Sequence, residues 1–282
     1  MTIQELEETA NAIRQDVITM LAEAGSGHAA GSLGMADVLA VLYGAILHHQ
    51  PRRPDWPDRD RLVLSNGHIA PALYATLAQA GYFPKRELLS LRQLGSRLQG
   101  HPERTRLPGL ETSSGPLGSG LSQAIGMALA ARLDGASWRT YCLMSDGEQN
   151  EGNTWEAAML AGRERLDHLI AVVDRNHIQM DGPTEHVMPL EPLGDKYRAF
   201  GWHVLEVDGH NHRLLLDAFN TAKTVQAQPA LIIAQTVPGR GVSFMERRFA
   251  WHGKAPNRAE ADAALRELGA FRQPARTSRA SR

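Results

Sequence analysis

The sequence predicts an α/β fold, a three-layer, mostly parallel sheet with helices on both faces. Two observations predict it. From Leu121 onward, short apolar runs of strand length alternate with stretches of helical period, the rhythm of β-α-β units. No internal repeat or break in composition divides the 282 residues, so residues 1–270 read as one domain around one sheet.

The elements follow in order. Ile3, Leu6, Ala10, Ile13, Val17, Met20 and Leu21 recur at three- and four-residue steps and predict a first helix. The Gly- and Ser-rich stretch from Gly25 to Gly34 predicts a loop. Met35, Val38, Leu39, Leu42 and Ile46 restore the helical period until the proline-rich stretch Pro51–Pro57 ends it. Arg61–Ser65 reads as a short strand, and helical patterns return at Ile69–Ala80 and Lys85–Leu94. A long stretch punctuated by Gly and Pro runs from Gly95 to Gly120, and an irregular segment of that length in a compact domain is usually functional or disordered. The regular alternation then gives a helix to Leu133, strand Thr140–Met144, helix Asn153–Arg165, strand Leu169–Asp174, helix Leu193–Phe200, strand His203–Val207, helix Arg213–Val225 and strand Ala230–Thr236. Residues 271–282 carry Arg272, Arg276, Arg279 and Arg282 with little to bury, which predicts a basic, frayed tail.

Composition excludes several classes of function. Lys and Arg number 30 against 31 Asp and Glu, a formal charge of −1, so no strong field recruits nucleic acid or an anionic membrane surface. The only cysteine, Cys142, lies in an apolar run and reads as a small core residue; it excludes an internal disulfide and fits a reducing, cytoplasmic compartment. No apolar run approaches the ~18 residues that a bilayer span needs.

The most informative stretch is Ser145-Asp-Gly-Glu-Gln-Asn-Glu-Gly-Asn, which follows one predicted strand and precedes a helix. In parallel sheets, ligands bind beyond the carboxyl ends of the strands, so Asp146 belongs to the binding edge. The next strand ends in Asp174-Arg-Asn-His-Ile, which brings Asn176 to the same edge. A carboxylate, an amide oxygen and a loop carbonyl, with Ile178 the candidate, are hard ligands suited to Mg²⁺ or Ca²⁺. Asn153 with Glu156 at the capping-box offset predicts a helix start whose free N–H groups favour a nearby anion. Together these features describe a metal–diphosphate site. An Asp-Gly after a strand is by itself most often only a turn; the paired spacing gives it weight.

Four histidines each touch a glycine: Gly27-His28, Gly67-His68, Gly100-His101 and His252-Gly253. A neighbouring Gly lets the backbone approach a ligand and presents the imidazole on a loop. Singly, each fits a polar loop residue as well.

These stretches resemble the transketolase family. The opening Asp-Gly followed some thirty residues on by Asn is similar to the thiamine-diphosphate motif, with Ser145 where that motif usually has Gly. Ser26-Gly-His-Ala-Ala-Gly-Ser, Leu64-Ser-Asn-Gly-His, Gly100-His-Pro-Glu, Ser114-Gly-Pro-Leu-Gly-Ser-Gly and Trp251-His-Gly-Lys-Ala-Pro occur in the family's order, across Leu21 to Asn257. The resemblance implies the diphosphate-binding domain of a thiamine-diphosphate enzyme, as the N-terminal subunit of a split transketolase. Such a chain moves a two-carbon ketol unit from a ketose phosphate to an aldose, in the company of a C-terminal, pyrimidine-binding subunit, with two copies of each chain. It implies that Asp146, Asn176 and the carbonyl of Ile178 hold Mg²⁺ or Ca²⁺, that Gly147 lies near the phosphates, and that His68, Asn176, His252 and the Gly115-Pro116-Leu117 backbone contact the cofactor. His28, His101 and His252 then bind substrate hydroxyls, and His28 and His252 assist proton transfer, since an imidazole titrates near neutral pH. Glu151 reads either as a helix-start carboxylate or as a residue near the subunit interface.

Other readings remain open on the sequence. The nearest are half of a deoxyxylulose-phosphate synthase-like enzyme and the first subunit of a 2-oxoacid dehydrogenase, against which His101-Pro-Glu and Trp251-His252-Gly253 favour transketolase. A non-catalytic interaction module is a different class. A zinc-binding structural protein has 12 His to draw on but no His-Glu-x-x-His and no paired-Cys pattern.

Overall fold

A computed structural model of the chain describes residues 1–270. Its helices are α1 (Ile3–Ala24), α2 (Ala30–Gly34), α3 (Ala36–Val41, prolonged by a π turn over Leu42–Ile46), α4 (Ala70–Ala80), α5 (Ser119–Leu133), α6 (Gly152–Arg163), α7 (Thr184–Val187), α8 (Leu193–Ala199), α9 (His212–Thr224) and α10 (Arg258–Ala270). Its strands are β1 (Arg61–Leu64), β2 (Thr140–Ser145), β3 (Leu169–Arg175), β4 (Ile178–Gln179), β5 (Gly182–Pro183), β6 (His203–Asp208) and β7 (Ala230–Gln235).

Five strands form a wholly parallel sheet in the order β1-β2-β3-β7-β6. Side chains alternate between the two faces, and the two cores show it. Leu62, Leu64, Tyr141, Leu143, Ile170, Val172 and Ile232 join α1, α3, α4 and α9 on one side. Val63, Cys142, Met144, Ala171, Val173, Leu231 and Ile233 join α5, α6 and α8 on the other. A one-residue slip of β2 would exchange Tyr141 and Leu143 for Cys142 and Met144 between two differently shaped cores. Because each fully buried large apolar side chain contributes roughly 1.5–3 kcal/mol, the register that carries the strand ends is firmly set. The three-layer prediction therefore holds, with Cys142 fully buried in the core.

The chain runs through β1, β2 and β3 in sequence, leaves to the far edge for β6, and returns to insert β7 beside β3. The order reverses between β3 and β7, and open parallel sheets bind ligands at such a reversal. Asp174, Arg175 and Asn176 lie there.

Several local expectations need correction. The second half of the predicted loop Gly25–Gly34 is helix α2, every residue of it buried; its glycines permit close packing, and the Cβ of an added side chain at Gly31 would lie 2.9 Å from Ile69 Cγ2. Lys85–Leu94 forms only a tight 3₁₀ turn over Lys85–Ser90. Helix α6 starts one residue before Asn153, with Glu151 in the N-cap position and no side-chain cap bond, so the expected Asn153–Glu156 capping box is not formed. A capping box does form at α1, where Thr2 and Glu5 exchange hydrogen bonds. Helix α10 was not foreseen. The tail predicted for residues 271–282 lies outside the described residues.

Candidate active site

The register pairs Ser145 with Asp174, so the residues that follow each strand meet at the carboxyl edge. The Asp146 N–H donates to the Asp174 carbonyl (3.1 Å). The Asp146 side chain is fully buried: Oδ1 accepts from Gly147 N–H (2.7 Å), and Oδ2 accepts from His177 N–H (2.7 Å) and Arg175 Nη1 (3.0 Å). His177 adopts a φ of 66°, and this left-handed turn follows Asn176 directly. Asn176 is also buried, donating from Nδ2 to Asp174 (2.8 Å) and accepting at Oδ1 from Ile178 N–H (3.0 Å). The opposite oxygen of Asp174 accepts from the Thr236 hydroxyl at the end of β7. Burial pushes the Asp174 carboxyl up to about 7, with the neighbouring Asp146 adding to the effect. Burial also raises Asp146, against the pull of Arg175.

Two of the three predicted ligands are thus brought together with a lone pair to spare. Asp146 Oδ1 has one protein donor and Asn176 Oδ1 has one, where each oxygen can accept two bonds. The cross-strand partner of Ile178 is Pro183, which has no N–H to give the Ile178 carbonyl. An all-oxygen set with one carboxylate fits a small hard cation that keeps phosphate or water ligands. Gly147 commits its N–H to Asp146 in this structure, and an added Cβ there would lie 3.2 Å from Gln179 Cβ.

Three of the four histidines singled out above, His28, His68 and His252, form a cluster. Ring centroids lie 5.0 Å apart for His28 and His68, 5.7 Å for His28 and His252, and 5.3 Å for His68 and His252. The backbone explains their convergence. Gly239 N–H donates to the Ala30 carbonyl (2.9 Å), and Val237 N–H donates to His210 Nε2 (2.7 Å). His210 in turn donates from Nδ1 to the buried Asp37 (2.6 Å), which Arg14 also holds. These bonds tie the segment after β7, and so His252, to helix α2 beside His28. His101 is not part of the cluster and lies on an exposed stretch of loop.

The expectation of an imidazole titrating near neutral pH is corrected at His28. Burial, with the neighbouring His252, Arg92 and His101, pulls His28 down to about 4. Burial pulls His68 well below its ordinary value and lowers His252. Burial and Arg92 lower His101. The clustered rings are neutral at pH 7, each with one N–H donor and one acceptor nitrogen. His28 Nδ1 is buried without a partner, and it is a free bonding position in the cluster.

Two contacts join the cluster to the cation edge and to the Gly115–Leu117 loop. A Cβ added to Gly253 would lie 3.4 Å from Met180 Cε, on the β4–β5 hairpin after Asn176, and 3.7 Å from His28 Nε2. A Cβ on Gly67, beside His68, would lie 2.6 Å from Ser114 Cβ and 3.2 Å from Gly115 N. Only glycine permits that approach.

Sequence reasoning missed four residues. Arg175, buried to 1% exposure, grips Asp146, Thr184 (2.8 Å), Glu185 (2.6 Å) and Glu191 (2.9 Å), binding the edge to the loop beyond it. Glu148 is a fully buried carboxylate beside the metal motif. Met180 is a large apolar side chain left 58% exposed next to the histidines. Asn66, fully buried before Gly67-His68, has neither amide atom bonded. The adjacency of Arg175 and Glu148 to the Asp-Gly and Asp-x-Asn motifs was the only sequence signal for them.

Fold and site together define the diphosphate-binding domain of a thiamine-diphosphate protein: a parallel α/β sheet whose switch-point edge carries Asp146 and Asn176 beside a loop-borne histidine cluster. The model of the family described as "Transketolase, thiamine diphosphate binding domain" matches residues 6–277. The chain is 46% identical over 264 residues to the 6-deoxy-6-sulfo-D-fructose transketolase subunit SqwG of Clostridium sp. (strain MSTE9), covering 94% of this chain and 96% of that one. It is 40% identical over 268 residues to one of the subunits of the apulose-4-phosphate transketolase of Phocaeicola vulgatus, covering 95% of each. Among solved structures, the transketolase of Campylobacter jejuni superposes with a TM-score of 0.90 at 36% identity, covering 95% of this chain and 43% of that one. That of Leishmania mexicana gives 0.89 at 36%, covering 94% and 41%. The chain belongs to the transketolase family and spans less than half the length of those solved transketolases.

Proposed function

We propose that this chain is the diphosphate-binding subunit of a two-chain transketolase, which moves a two-carbon ketol unit from a ketose phosphate to an aldose. The observation that carries the reading is the joining of His28, His68 and His252 to the Asp146–Asn176 edge through Gly253 and Met180. Thiamine diphosphate, when bound, supplies a nucleophilic carbon and an electron sink for cleaving the bond beside a ketose carbonyl. Holding the cation, lining the cofactor and moving protons at substrate hydroxyls fall to residues of the chain.

Asp146, Asn176 and the Ile178 carbonyl hold the divalent ion, Mg²⁺ or Ca²⁺, that offsets the diphosphate charge, with Gly147 alongside. His68 and the Gly115-Pro116-Leu117 backbone line the cofactor, and His252 reaches both cofactor and substrate. His28, His101 and His252 bind substrate hydroxyls. Neutral at pH 7, His28 and His252 accept a proton from a hydroxyl at the acceptor nitrogen and return it later, without first losing one to solvent. Their low basicity keeps them in that acceptor form throughout the neutral range.

Residues 1–270 act as one domain and require a second subunit, which supplies the pyrimidine-binding half and the grip on the substrate's terminal anion; the assembly holds two copies of each chain. Support for the two-chain organisation comes from the relatives named as subunits, whose lengths this chain nearly matches. No helix among the described residues is long and apolar enough to cross a membrane; the location proposed is the cytoplasm, a reducing compartment that suits the free thiol of Cys142.

The test is reconstitution with the second subunit, followed by assay of a ketose phosphate, pyruvate and a branched 2-oxoacid as donors. Transfer from the ketose phosphate alone supports the proposal. Decarboxylation of either oxoacid in its place refutes it in favour of another thiamine-diphosphate enzyme.

A further inference from the structure

Glu148 is fully buried, and no Lys, Arg or His side chain pairs with it among the described residues. Three donors hold it instead. Its Oε1 accepts from the Ser65 hydroxyl and from Gly118 N–H (2.6 Å), and its Oε2 accepts from Ser145 N–H (3.1 Å). The Ser65 oxygen also accepts from Gly120 N–H (3.0 Å), and the Ser145 hydroxyl accepts from Glu148 N–H (3.3 Å). Gly118 N–H and Ser145 N–H are obligate donors, one to each carboxylate oxygen, and charge-assisted bonds of this kind are about twice as strong as neutral ones.

The donors come from three segments that are remote in sequence, and each adjoins a group assigned above. Ser65 follows β1 directly, just ahead of Gly67-His68. Gly118 follows the Gly115–Leu117 loop directly. Ser145 precedes Asp146. The Glu148 side chain joins all three segments at one point, and the Ser65 hydroxyl, shared with Gly120 N–H, reinforces the link between the first two. Gly118, whose N–H donates to Glu148, has a φ of 80°, and an added Cβ there would overlap Asn153 Oδ1.

We propose that Glu148 is a positioning residue that holds the ring-supporting loop and the His68 turn in register with the metal–diphosphate edge. This rests on the cofactor reading above. A ligand that engages both ends of the site needs that register, whereas one that engages only the diphosphate end does not.

Glu148→Gln keeps the shape and replaces one acceptor oxygen by an NH₂ that must face an N–H or O–H donor. The test measures, by calorimetry on the chain with Mg²⁺ and its second subunit, the affinity for thiamine diphosphate and for inorganic pyrophosphate. Loss of one charge-assisted bond predicts about tenfold weaker thiamine diphosphate binding, with pyrophosphate within about threefold of wild type. Equal losses for both ligands, or no loss for either, overturn the proposal. If Glu148→Gln fails to fold, Ser65→Ala, which removes one donor, decides by the same difference, and the same two outcomes count against it. Failure of the wild-type pair to bind thiamine diphosphate would instead overturn the cofactor reading itself.

Discussion

Replacing Asp146 by Asn exchanges a single oxygen for nitrogen and removes the only carboxylate from the proposed cation set. The hydrogen bonds decide which way the new amide turns. Oδ2 serves two donors, His177 N–H and Arg175, whereas Oδ1 serves only Gly147 N–H. The amide therefore keeps its oxygen toward His177 and Arg175 and turns its NH₂ toward Gly147, into the position that carries the spare lone pair for the ion. Folding loses one hydrogen bond and some of the ion pair, about 1–3 kcal/mol. The cation loses both its charged ligand and the open lone pair, so Mg²⁺-dependent binding of thiamine diphosphate should weaken at least about a hundredfold, roughly 2.7 kcal/mol. Calorimetry with Mg²⁺ and the second subunit measures the affinity, and urea unfolding measures the stability. Cofactor affinity within about twofold of wild type, at whatever stability, would refute the assignment of Asp146 as a metal ligand.

Three further outcomes are expected. His252→Ala should lower turnover far more than thiamine diphosphate affinity; equal losses in rate and in calorimetric affinity would leave His252 only a cofactor-holding role. His28 is pulled down to about 4 in the folded chain, so the unfolded chain takes up its proton first as pH falls. Its contribution to stability should be constant above about 6.5 and diminish progressively as pH drops toward 4. The melting temperature of wild type minus that of His28→Asn, followed across that window, should shrink on acidification, and a difference independent of pH contradicts the inference. Gly118→Ala forces a side chain into a φ of 80° and against Asn153 and Glu151, and should cost at least about 2 kcal/mol in urea unfolding. A loss below about 0.5 kcal/mol would mean that the loop relaxes freely.

The sheet was legible because its strands are short apolar runs set between helical periods, and strand boundaries came within a residue or two. Asp146 and Asn176 were legible for the same reason: once two adjacent strands are parallel, their last residues must meet. Asn153 was misread because α6 begins at Gly152 with Glu151 as its N-cap, at a helix start against which Gly118 packs closely. The glycines of Ala30–Gly34 suggested a loop, but close packing against Ile69 makes their small size compatible with a helix. Burial is what sequence conveys least. Glu148 and Arg175 carry charges that ordinarily face water, and nothing in the order of residues announces that backbone N–H groups and carboxylates from distant segments surround them. The same limit applies to the histidines, whose loops are visible in the sequence while the crowding that keeps the rings uncharged is not.

The β4–β5 hairpin pairs only with itself, and each of its strands is two residues long. Its tip carries Met180 to the histidines without contributing a hydrogen bond to the main sheet. The wall beside the histidines is accordingly modular: a hairpin of different length or side-chain chemistry could be grafted between Gln179 and Gly182 while the load of the fold stays on the five strands of the main sheet. That makes it the natural place for laboratory evolution to reshape what the histidines can meet.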